Sequence, residues 1–249
     1  MKIKFLGTSA GWPLPRLGCK DEICSSTEPK DRRTRSQALI NDVLLLDVGP
    51  DTYFHLSQPN IDTTKIKYAA ITHEHPDHTS GLWDLGHIYN SKPIKVIVHP
   101  STFQKIKKLF FYKEFEILET EAGSPVKVNG LEVSLLPVNH TGSSFRILVK
   151  EGNKRLFWAP DFKSLPIETI EILKSVDLIA MDGSELRIKT PSHQTIEEGV
   201  KLGKLLDAKK TYFIHIGHRA LPHEKFEIFL KRKGGPRFQV AYDRLQVEL

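Results

Sequence analysis

The sequence predicts an α/β fold in which two β-sheets are layered with helices. Short apolar runs typical of strands recur along the chain, and many of them end at Gly, Asp or Asn. Windows with helical spacing lie between several of these runs. The runs are too many and too short for one flat sheet, so we expect two sheets. The predicted strands are residues 3–6, 38–40, 43–48, 68–72, 94–98, 131–136, 145–149, 155–159, 178–181 and 212–214.

The predicted helices fall mainly in the second half of the chain, where they alternate with strands. The first half favours β-hairpins, as in residues 38–44, where Asn41 and Asp42 predict a turn. No repeat, low-complexity tract or linker is visible, so we expect one domain over residues 1–249. Residues 12–35 are the one long stretch without periodicity, and such loops are usually functional or tied down. The predicted helices are residues 101–110, 167–173, 196–206 and 223–230.

Composition restricts the class of protein. The chain has 249 residues, of which 39% are hydrophobic, enough for a sizeable core and too many for a fibrous or disordered chain. No apolar run reaches the roughly 18 residues of a membrane span, and residues 1–5 lead into a predicted strand without signal-peptide features. The two cysteines, Cys19 and Cys24, would close too short a loop for a useful disulfide. We therefore expect a cytoplasmic protein with no membrane partner.

The charge balance favours anionic partners. The formal net charge is +6, and the basic residues fall in short groups at 32–35, 105–108 and 231–233. The last two groups lie in patterns typical of exposed helix faces, so solvated surface is favoured over a nucleic-acid footprint.

Three histidines and an aspartate lie within one short segment after a predicted strand: His73, His75, Asp77 and His78. Residues two apart in an extended chain point the same way, so His73 and His75 can direct two imidazoles to one point. A turn that begins at Pro76 would bring Asp77 and His78 to a second point beside it. Imidazole and carboxylate suit divalent metals, and two adjacent metals can assist a displacement. Surface histidines at a helix start are the weaker interpretation.

The pattern His73-x-His75-x-Asp77-His78 resembles the H-x-H-x-D-H signature of the metallo-β-lactamase superfamily, and the similarity runs over nearly the whole chain, including residues 5–8 and 45–49. The chain looks most similar to the branch of the phosphoribosyl cyclic phosphodiesterases of phosphonate breakdown. The tRNA 3′-end endonucleases (RNase Z) and an accessory protein of pyrroloquinoline-quinone synthesis are related to that branch. The resemblance implies a four-layer αβ/βα sandwich of two mixed sheets flanked by helices, with a binuclear metal site at one edge. By analogy with the superfamily, a homodimer is also expected.

Three further residues, His140, Asp161 and His215, each end a predicted strand. Packing poorly explains an acidic residue that closes an apolar strand, as Asp161 does. By resemblance, His140 completes the first metal's ligands, Asp161 bridges both metals, and His215 completes the second. Alone, each could equally be a histidine satisfied in the core or an aspartate that caps a helix.

Two more aspartates are expected to support the site. Asp47 ends an apolar run and matches the family's first acidic position, where it would accept a hydrogen bond from a ligand histidine. A turn aspartate before Gly49 is the alternative. Asp182 lies near the same edge and would orient His193.

The resemblance implies hydrolysis of a phosphodiester by a hydroxide that two divalent ions, zinc or manganese, activate. The same hydroxide could attack a thioester or a β-lactam. His193, in a polar loop before the helix at 196–206, matches a non-ligand histidine of related enzymes and would protonate the leaving group or hold the phosphate. A histidine that caps the helix is the alternative. Together with the ligand Asp77, His193 forms the predicted catalytic set.

The predicted substrate is a small phosphodiester, possibly a cyclic one. RNase Z enzymes usually carry an extended arm that grips tRNA, and the sequence has no long Gly/Pro-rich or basic insertion for such an arm. An RNase Z-like endonuclease remains the alternative, because His193 and residues 7–11 resemble RNase Z. A non-catalytic metal-binding protein of cofactor biosynthesis is the third possibility.

The two cysteines suggest a structural zinc. The phosphonate-pathway enzymes have three cysteines here, spaced C-x-C-x2-C, and a histidine three residues after the last active-site ligand. This chain keeps Cys19 and Cys24, has Asp21 in place of the second cysteine, and supplies His218. Two thiolates, a carboxylate and an imidazole are an allowed zinc set, although a weaker one than three thiolates. Free thiols in a site that has lost its metal are the alternative.

Overall fold

The computed structural model describes residues 1–88, 92–110, 115–142 and 144–249, which contain fourteen strands. Numbered along the chain, they are β1 (Lys2–Gly7), β2 (Gln37–Ile40), β3 (Leu44–Leu46), β4 (Tyr68–Ala70), β5 (Lys95–Val98), β6 (Glu116–Glu119), β7 (Val126–Val128), β8 (Leu131–Val138), β9 (Ser144–Glu151), β10 (Lys154–Ala159), β11 (Leu178–Asp182), β12 (Lys210–Ile214), β13 (Phe238–Val240) and β14 (Gln246–Glu248).

The strands form two sheets of seven. The first has the order β14-β1-β2-β3-β4-β5-β6, and the second has the order β13-β12-β11-β10-β9-β8-β7. In the first sheet the pairs from β14 to β3 are antiparallel and those from β3 to β6 are parallel. The second sheet runs antiparallel from β7 to β10 and parallel from β10 to β13. Both sheets are therefore mixed, as the fold prediction requires.

Helices join the strands and begin at recognisable signals. Pro100 opens one of them, and Thr195 and Glu198 form a capping box on another. The α-helices are α1 (Glu22–Ser25), α2 (Thr52–Leu56), α3 (Pro76–Thr79), α4 (Leu82–Leu85), α5 (Pro100–Ile106), α6 (Ile167–Leu173), α7 (Ile196–Leu205) and α8 (His223–Gly234), with 3-10 turns at Pro29–Asp31, Thr63–Lys65 and Lys107–Phe110.

Three apolar clusters hold together the four layers of the fold, which are the two sheets and a layer of helices on the outer face of each sheet. The middle cluster joins the two sheets face to face through residues such as Phe5 of β1 and Trp158 of β10. A second cluster packs α6, α7 and α8 on the outer face of the second sheet, and a third packs α2, α4 and α5 on the outer face of the first. The predicted αβ/βα sandwich of two mixed sheets flanked by helices is confirmed.

The strands that the sequence did not predict are the four edge strands, β6, β7, β13 and β14. Edge strands have one unpaired side and are short here, so they lack the long apolar run that marks a buried strand. The expectation of hairpins in the first half is right only for β2 and β3, where Asn41 and Asp42 make the turn with φ of 49° and 60°. It is wrong for β3 to β6, which pair in parallel.

Other boundaries differ slightly from the prediction. The run at 43–48 narrows to β3, because Asp47 takes a left-handed φ of 59° and turns the chain out of the strand. The helix expected at 101–110 continues as a 3-10 turn after Ile106. Residues 12–35 contain α1 and the turn at Pro29–Asp31. None of the described helices has the length and hydropathy to cross a bilayer.

Candidate metal centre

The predicted ligands meet at one edge of the molecule because each follows the carboxyl end of a strand. The 73–78 segment follows β4, and His140, Asp161 and His215 follow β8, β10 and β12. These ends meet where the two sheets face each other, and ligand sites in α/β proteins form outside the carboxyl ends of strands. The predicted site is therefore assembled from both sheets.

One group contains His73, His75, His140 and Asp161, whose ligand atoms lie within 4.8 Å of one another. His73 Nε2 is 2.9 Å from His75 Nδ1, and Asp161 Oδ2 is 3.4 Å from His73 Nε2 and 3.1 Å from His140 Nε2. His140 Nδ1 is 2.8 Å from the carbonyl oxygen of Ser192. Because a carbonyl only accepts, Nδ1 carries the proton and Nε2 keeps its lone pair toward the group.

A second group contains Asp77, His78 and His215. Asp77 Oδ2 is 3.1 Å from His78 Nε2 and 3.5 Å from His215 Nε2. Helix α3 begins at Pro76, as expected, and turns Asp77 and His78 away from His75. Asp161 Oδ1 is 3.8 Å from His78 Nε2, so the Asp161 carboxylate lies between the two groups.

Asp47 supports His78 from behind. Its carboxylate accepts from Thr72 N at 2.9 Å and from Trp158 Nε1 at 2.9 Å, and its Oδ2 is 3.0 Å from His78 Nδ1. Since Asp47 is fully buried and its oxygens are occupied, it holds the His78 ring with Nε2 toward the group.

Asp182 and His193 form a pair beside the ligands. His193 Nδ1 is 2.7 Å from Asp182 Oδ2, and the His193 ring stacks on His215 with 5.8 Å between centroids. Asp182 is fully buried, whereas the His193 side chain is 23% exposed. Nδ1 is engaged, which leaves Nε2 as the nitrogen available to a ligand in the cleft. Asp182, His193 and His215 also have ligand atoms within 4.8 Å of one another.

Protonation in this cluster reflects burial and close charges. Burial lowers the pKa of His73 to about 3. Burial alone would raise the pKa of Asp161, but His73, Arg146 and His78 hold it well below its usual value. The pKa of His215, which burial alone would lower, rises to about 9 because the carboxylates of Asp182 and Asp77 lie 3.8 and 3.5 Å from its ring nitrogens.

Several buried nitrogens here lack a hydrogen-bond partner, namely His78 Nε2, His140 Nε2 and both ring nitrogens of His215. Such atoms are costly unless something satisfies them. Imidazole nitrogens and carboxylate oxygens are ligands that zinc and manganese accept. The two groups therefore fit two divalent ions.

Arg146 is a member of the site that sequence reasoning missed. It is fully buried, and its Nη2 donates to Asp161 Oδ1 at 2.7 Å. A charged residue at a buried position of the apolar run 145–149 was the available signal. Arg146 fixes one oxygen of the Asp161 carboxylate.

A cleft of about 300 Å³ opens over the ligands. Besides His193, it is lined by residues that the sequence did not single out: Trp12, Arg16, Glu185 and Arg219. Burial raises the pKa of Glu185, and its Oε2 has no hydrogen-bond partner. The cleft thus combines an exposed aromatic ring and two arginines with the metal ligands.

Residues 43–216 match the model of the β-lactamase superfamily domain. The chain belongs to this superfamily. That span contains every predicted catalytic ligand, while the cysteine loop lies before it.

Two curated relatives of this β-lactamase superfamily protein match much of the chain. A protein of Porphyromonas gingivalis named octanoyltransferase is 28% identical over 260 residues, which cover 99% of this chain and 51% of that protein. A ribonuclease Z of Methanococcus aeolicus is 28% identical over 202 residues, covering 76% of this chain and 58% of that protein. The chain thus spans about half the length of these relatives.

Among solved structures, a diphosphatase of the PhnP family resembles this chain closely in fold. The TM-score is 0.88 at 26% sequence identity, and the match covers 100% of this chain and 98% of that chain. The fold of this superfamily member is therefore that of the metallo-β-lactamase hydrolases.

The predicted structural zinc site is only partly assembled. Cys19, Asp21 and His218 have ligand atoms within 4.8 Å of one another, and His218 Nδ1 is 2.6 Å from Asp21 Oδ2 and 3.8 Å from Cys19 Sγ. Cys24 is not in this group: it is buried in the apolar cluster of the second sheet. Burial, with the Cys19 thiol beside it, raises the pKa of Cys24 to about 11.

Proposed function

We propose that this chain is a metal-dependent hydrolase of phosphodiesters, small or cyclic ones, with two zinc or manganese ions as cofactors. The observation that carries the proposal is the His193–Asp182 pair, in which a cleft histidine is held at 2.7 Å by a fully buried carboxylate. A leaving alkoxide needs a proton donor that is not a metal ligand. A protein that only stores metal has no such need.

The two ions would be held by separate groups that share one carboxylate. His73, His75 and His140 suit one ion, and Asp77, His78 and His215 suit the other, with Asp161 between them. When bound, the ions lower the pKa of a water molecule and offset the charge of the phosphate ester.

The chain's own groups orient the ligands and move the proton. Ser192 and Asp47 hold the rings of His140 and His78. Asp182 keeps the Nδ1 side of His193 occupied and stabilises the ring when it carries the proton, so that Nε2 delivers that proton to the leaving oxygen. A metal held by Asp182, His193 and His215 is the competing role for this histidine.

A small substrate agrees with the size of the cleft. Its volume is about 300 Å³, at the lower end of ligand pockets. In the described part of the chain, no long basic arm extends from the fold. The similarity to a PhnP-family diphosphatase supports a phosphate-containing substrate.

The first experiment measures manganese- and zinc-dependent hydrolysis of bis(4-nitrophenyl) phosphate and of 4-nitrophenyl phosphate. We expect the diester to be hydrolysed faster, and activity to vanish with a chelator and return with metal. Metal bound with no activity on either ester would favour the non-catalytic role in cofactor biosynthesis.

A second experiment separates the substrate classes. Cyclic phosphodiesters are compared with a 3′-extended tRNA at fixed salt, because tRNA binding is salt-sensitive. An octanoyl thioester is included, since the same site could attack it and one relative is named octanoyltransferase. Faster cleavage of the tRNA would favour the RNase Z-like alternative, which the similarity to a ribonuclease Z supports.

Three further expectations belong to this proposal. A structural zinc on Cys19, Asp21 and His218, with Cys24 as a fourth ligand, would hold the loop at 12–35 against the segment after β12. The homodimer and the cytoplasmic location stay predictions. Size-exclusion chromatography with light scattering tests the homodimer.

A further inference from the structure

A second cavity lies beside the catalytic cleft and shares only Leu14 with it. Its volume is about 580 Å³, larger than the cleft. Its walls come from β1, the turn at Pro29–Asp31 with the residues after it, the end of α2, and residues 242–246. None of the metal-centre residues lines it.

The wall of this cavity is strongly cationic. Five basic side chains line it, against one carboxylate, Asp243. Only Lys4 among the five has an acidic partner, Asp42 Oδ1 at 2.6 Å. Within the described ranges, no carboxylate oxygen lies within 4.0 Å of the other four cationic groups, which belong to Lys30, Arg32, Arg33 and Arg244.

Asp243 is the one carboxylate on this wall, and its side-chain oxygens accept hydrogen bonds from neutral donors. Thr8 Oγ1 donates to its Oδ1 at 2.7 Å, and Thr34 donates to its Oδ2 from N at 2.7 Å and from Oγ1 at 2.6 Å. Arg33 is buried and donates to Thr8 Oγ1 at 2.9 Å. Burial lowers the pKa of Arg33 to about 10, so it stays charged at neutral pH. The inner wall therefore carries a buried cation, whose charge the carboxylates of Asp243, Asp31 and Glu227 partly offset.

The rest of the cavity wall combines apolar and aromatic side chains with the polar side chains of Thr34, His55, Gln58, Asn60 and Gln246. Phe54 is 50% exposed, and Lys30 Nζ lies 4.7 Å from the centroid of the Tyr242 ring. Other apolar lining residues are Leu6, Pro13, Leu14, Pro29 and Ile61. Cations beside aromatic faces suit a ligand that has an anionic group attached to a planar ring.

We propose that this second cavity binds an organic phosphate of the nucleotide class, with its phosphate among Lys30, Arg32 and Arg244 and its ring against Phe54 and Tyr242. The volume is that of a small-molecule site. A polynucleotide would need a basic stripe that continues along the surface, whereas these cations surround one concavity. The site is independent of the metal centre and of the reaction proposed there.

The test is calorimetric titration of the metal-loaded protein with AMP, adenosine and inorganic phosphate. The variant Arg32→Ala/Arg244→Ala removes two cations of the cavity. The control Lys231→Ala/Arg232→Ala removes the same charge from exposed positions of α8. We expect AMP affinity to fall at least about tenfold in the first variant and to be unchanged in the control.

Adenosine and phosphate should each bind at least about tenfold more weakly than AMP, because each lacks one half of the recognised group. Three results would overturn the proposal: equal AMP affinity in the cavity variant and the parent, equal losses in both double variants, or phosphate binding as tight as AMP binding. Tighter binding of single-stranded RNA, lost with the same arginines, would replace the nucleotide by a polynucleotide. If the double variant unfolds, Arg244→Glu at an exposed position gives the same comparison.

Discussion

The metal centre and the cysteine loop both bring histidine, aspartate or cysteine together, but they are built differently. The ligands of the centre follow strand ends of two sheets, and neighbours such as Asp47 and Ser192 fix the histidine rings. In the loop, Asp21 has a side chain that is 52% exposed, and Cys24 lies outside the group. The sheets bring the residues of the first site together, whereas the loop brings together only three of its four predicted ligands.

The largest expected effect is at the carboxylate between the two ligand groups. Asp161→Ala should abolish activity and lower the metal content, because two cations would then repel each other without the shared negative charge. Metal analysis and turnover of the diester measure this. The control Asp207→Ala removes an exposed carboxylate on the second half of the chain. A fully active Asp161→Ala protein with two metals would remove Asp161 from the site.

The next largest effect shows whether His193 acts as a proton donor or as a metal ligand. His193→Ala should keep both metals and lose roughly two to four orders of magnitude in turnover, the usual contribution of a positioned acid. The loss should shrink for nitrophenyl esters, whose leaving group hardly needs a proton. Equal losses for nitrophenyl and alkyl esters would mean that His193 holds the phosphate instead, and loss of one metal would make it a ligand.

Substitution of Arg146 tests whether neighbouring residues hold the Asp161 carboxylate in place for metal binding. Arg146→Met keeps the length of the side chain but removes the bond to Asp161. We expect metal affinity to fall about 10- to 100-fold, since the carboxylate loses the partner that orients it. Competition with a metal-binding dye measures the change, and Arg146→Lys should recover part of it. Tighter metal binding in Arg146→Met would indicate that repulsion between the Arg146 guanidinium and the bound cations outweighs the orienting effect of Arg146 on Asp161.

The smallest effect is expected in the cysteine loop. Cys19→Ser/Cys24→Ser should contain one equivalent of zinc less than the parent protein, with the catalytic pair of metals and the turnover preserved. The single variants sharpen this: because Cys19 is in the group and Cys24 is not, Cys19→Ser should lose more zinc. Thiols that react freely in the folded, metal-loaded protein would contradict a third metal.

The clustering of the candidate ligands was predictable because the motif concentrates four of them and the other three each follow an apolar run. His73, His75, Asp77 and His78 stand within one short segment, so local geometry alone brings them together. Arg146 and Glu185 were not predicted as site residues because a single charged residue does not reveal its partner before the strands are paired. The edge strands were not predicted because they lack a long apolar run.

By itself the sequence indicated the alternation of strands and helices, the presence of two sheets and the metal-binding chemistry of its histidines, while the family resemblance implied that the sheets are mixed. These depend on local spacing and side-chain type, which the chain carries in order. Only the tertiary structure decided that Arg146 donates to Asp161, that Trp158 donates to Asp47, and that Arg32 and Arg244 share one cavity. These residues are apart in sequence, and the pairing of strands within a sheet and the packing of the two sheets against each other make them neighbours.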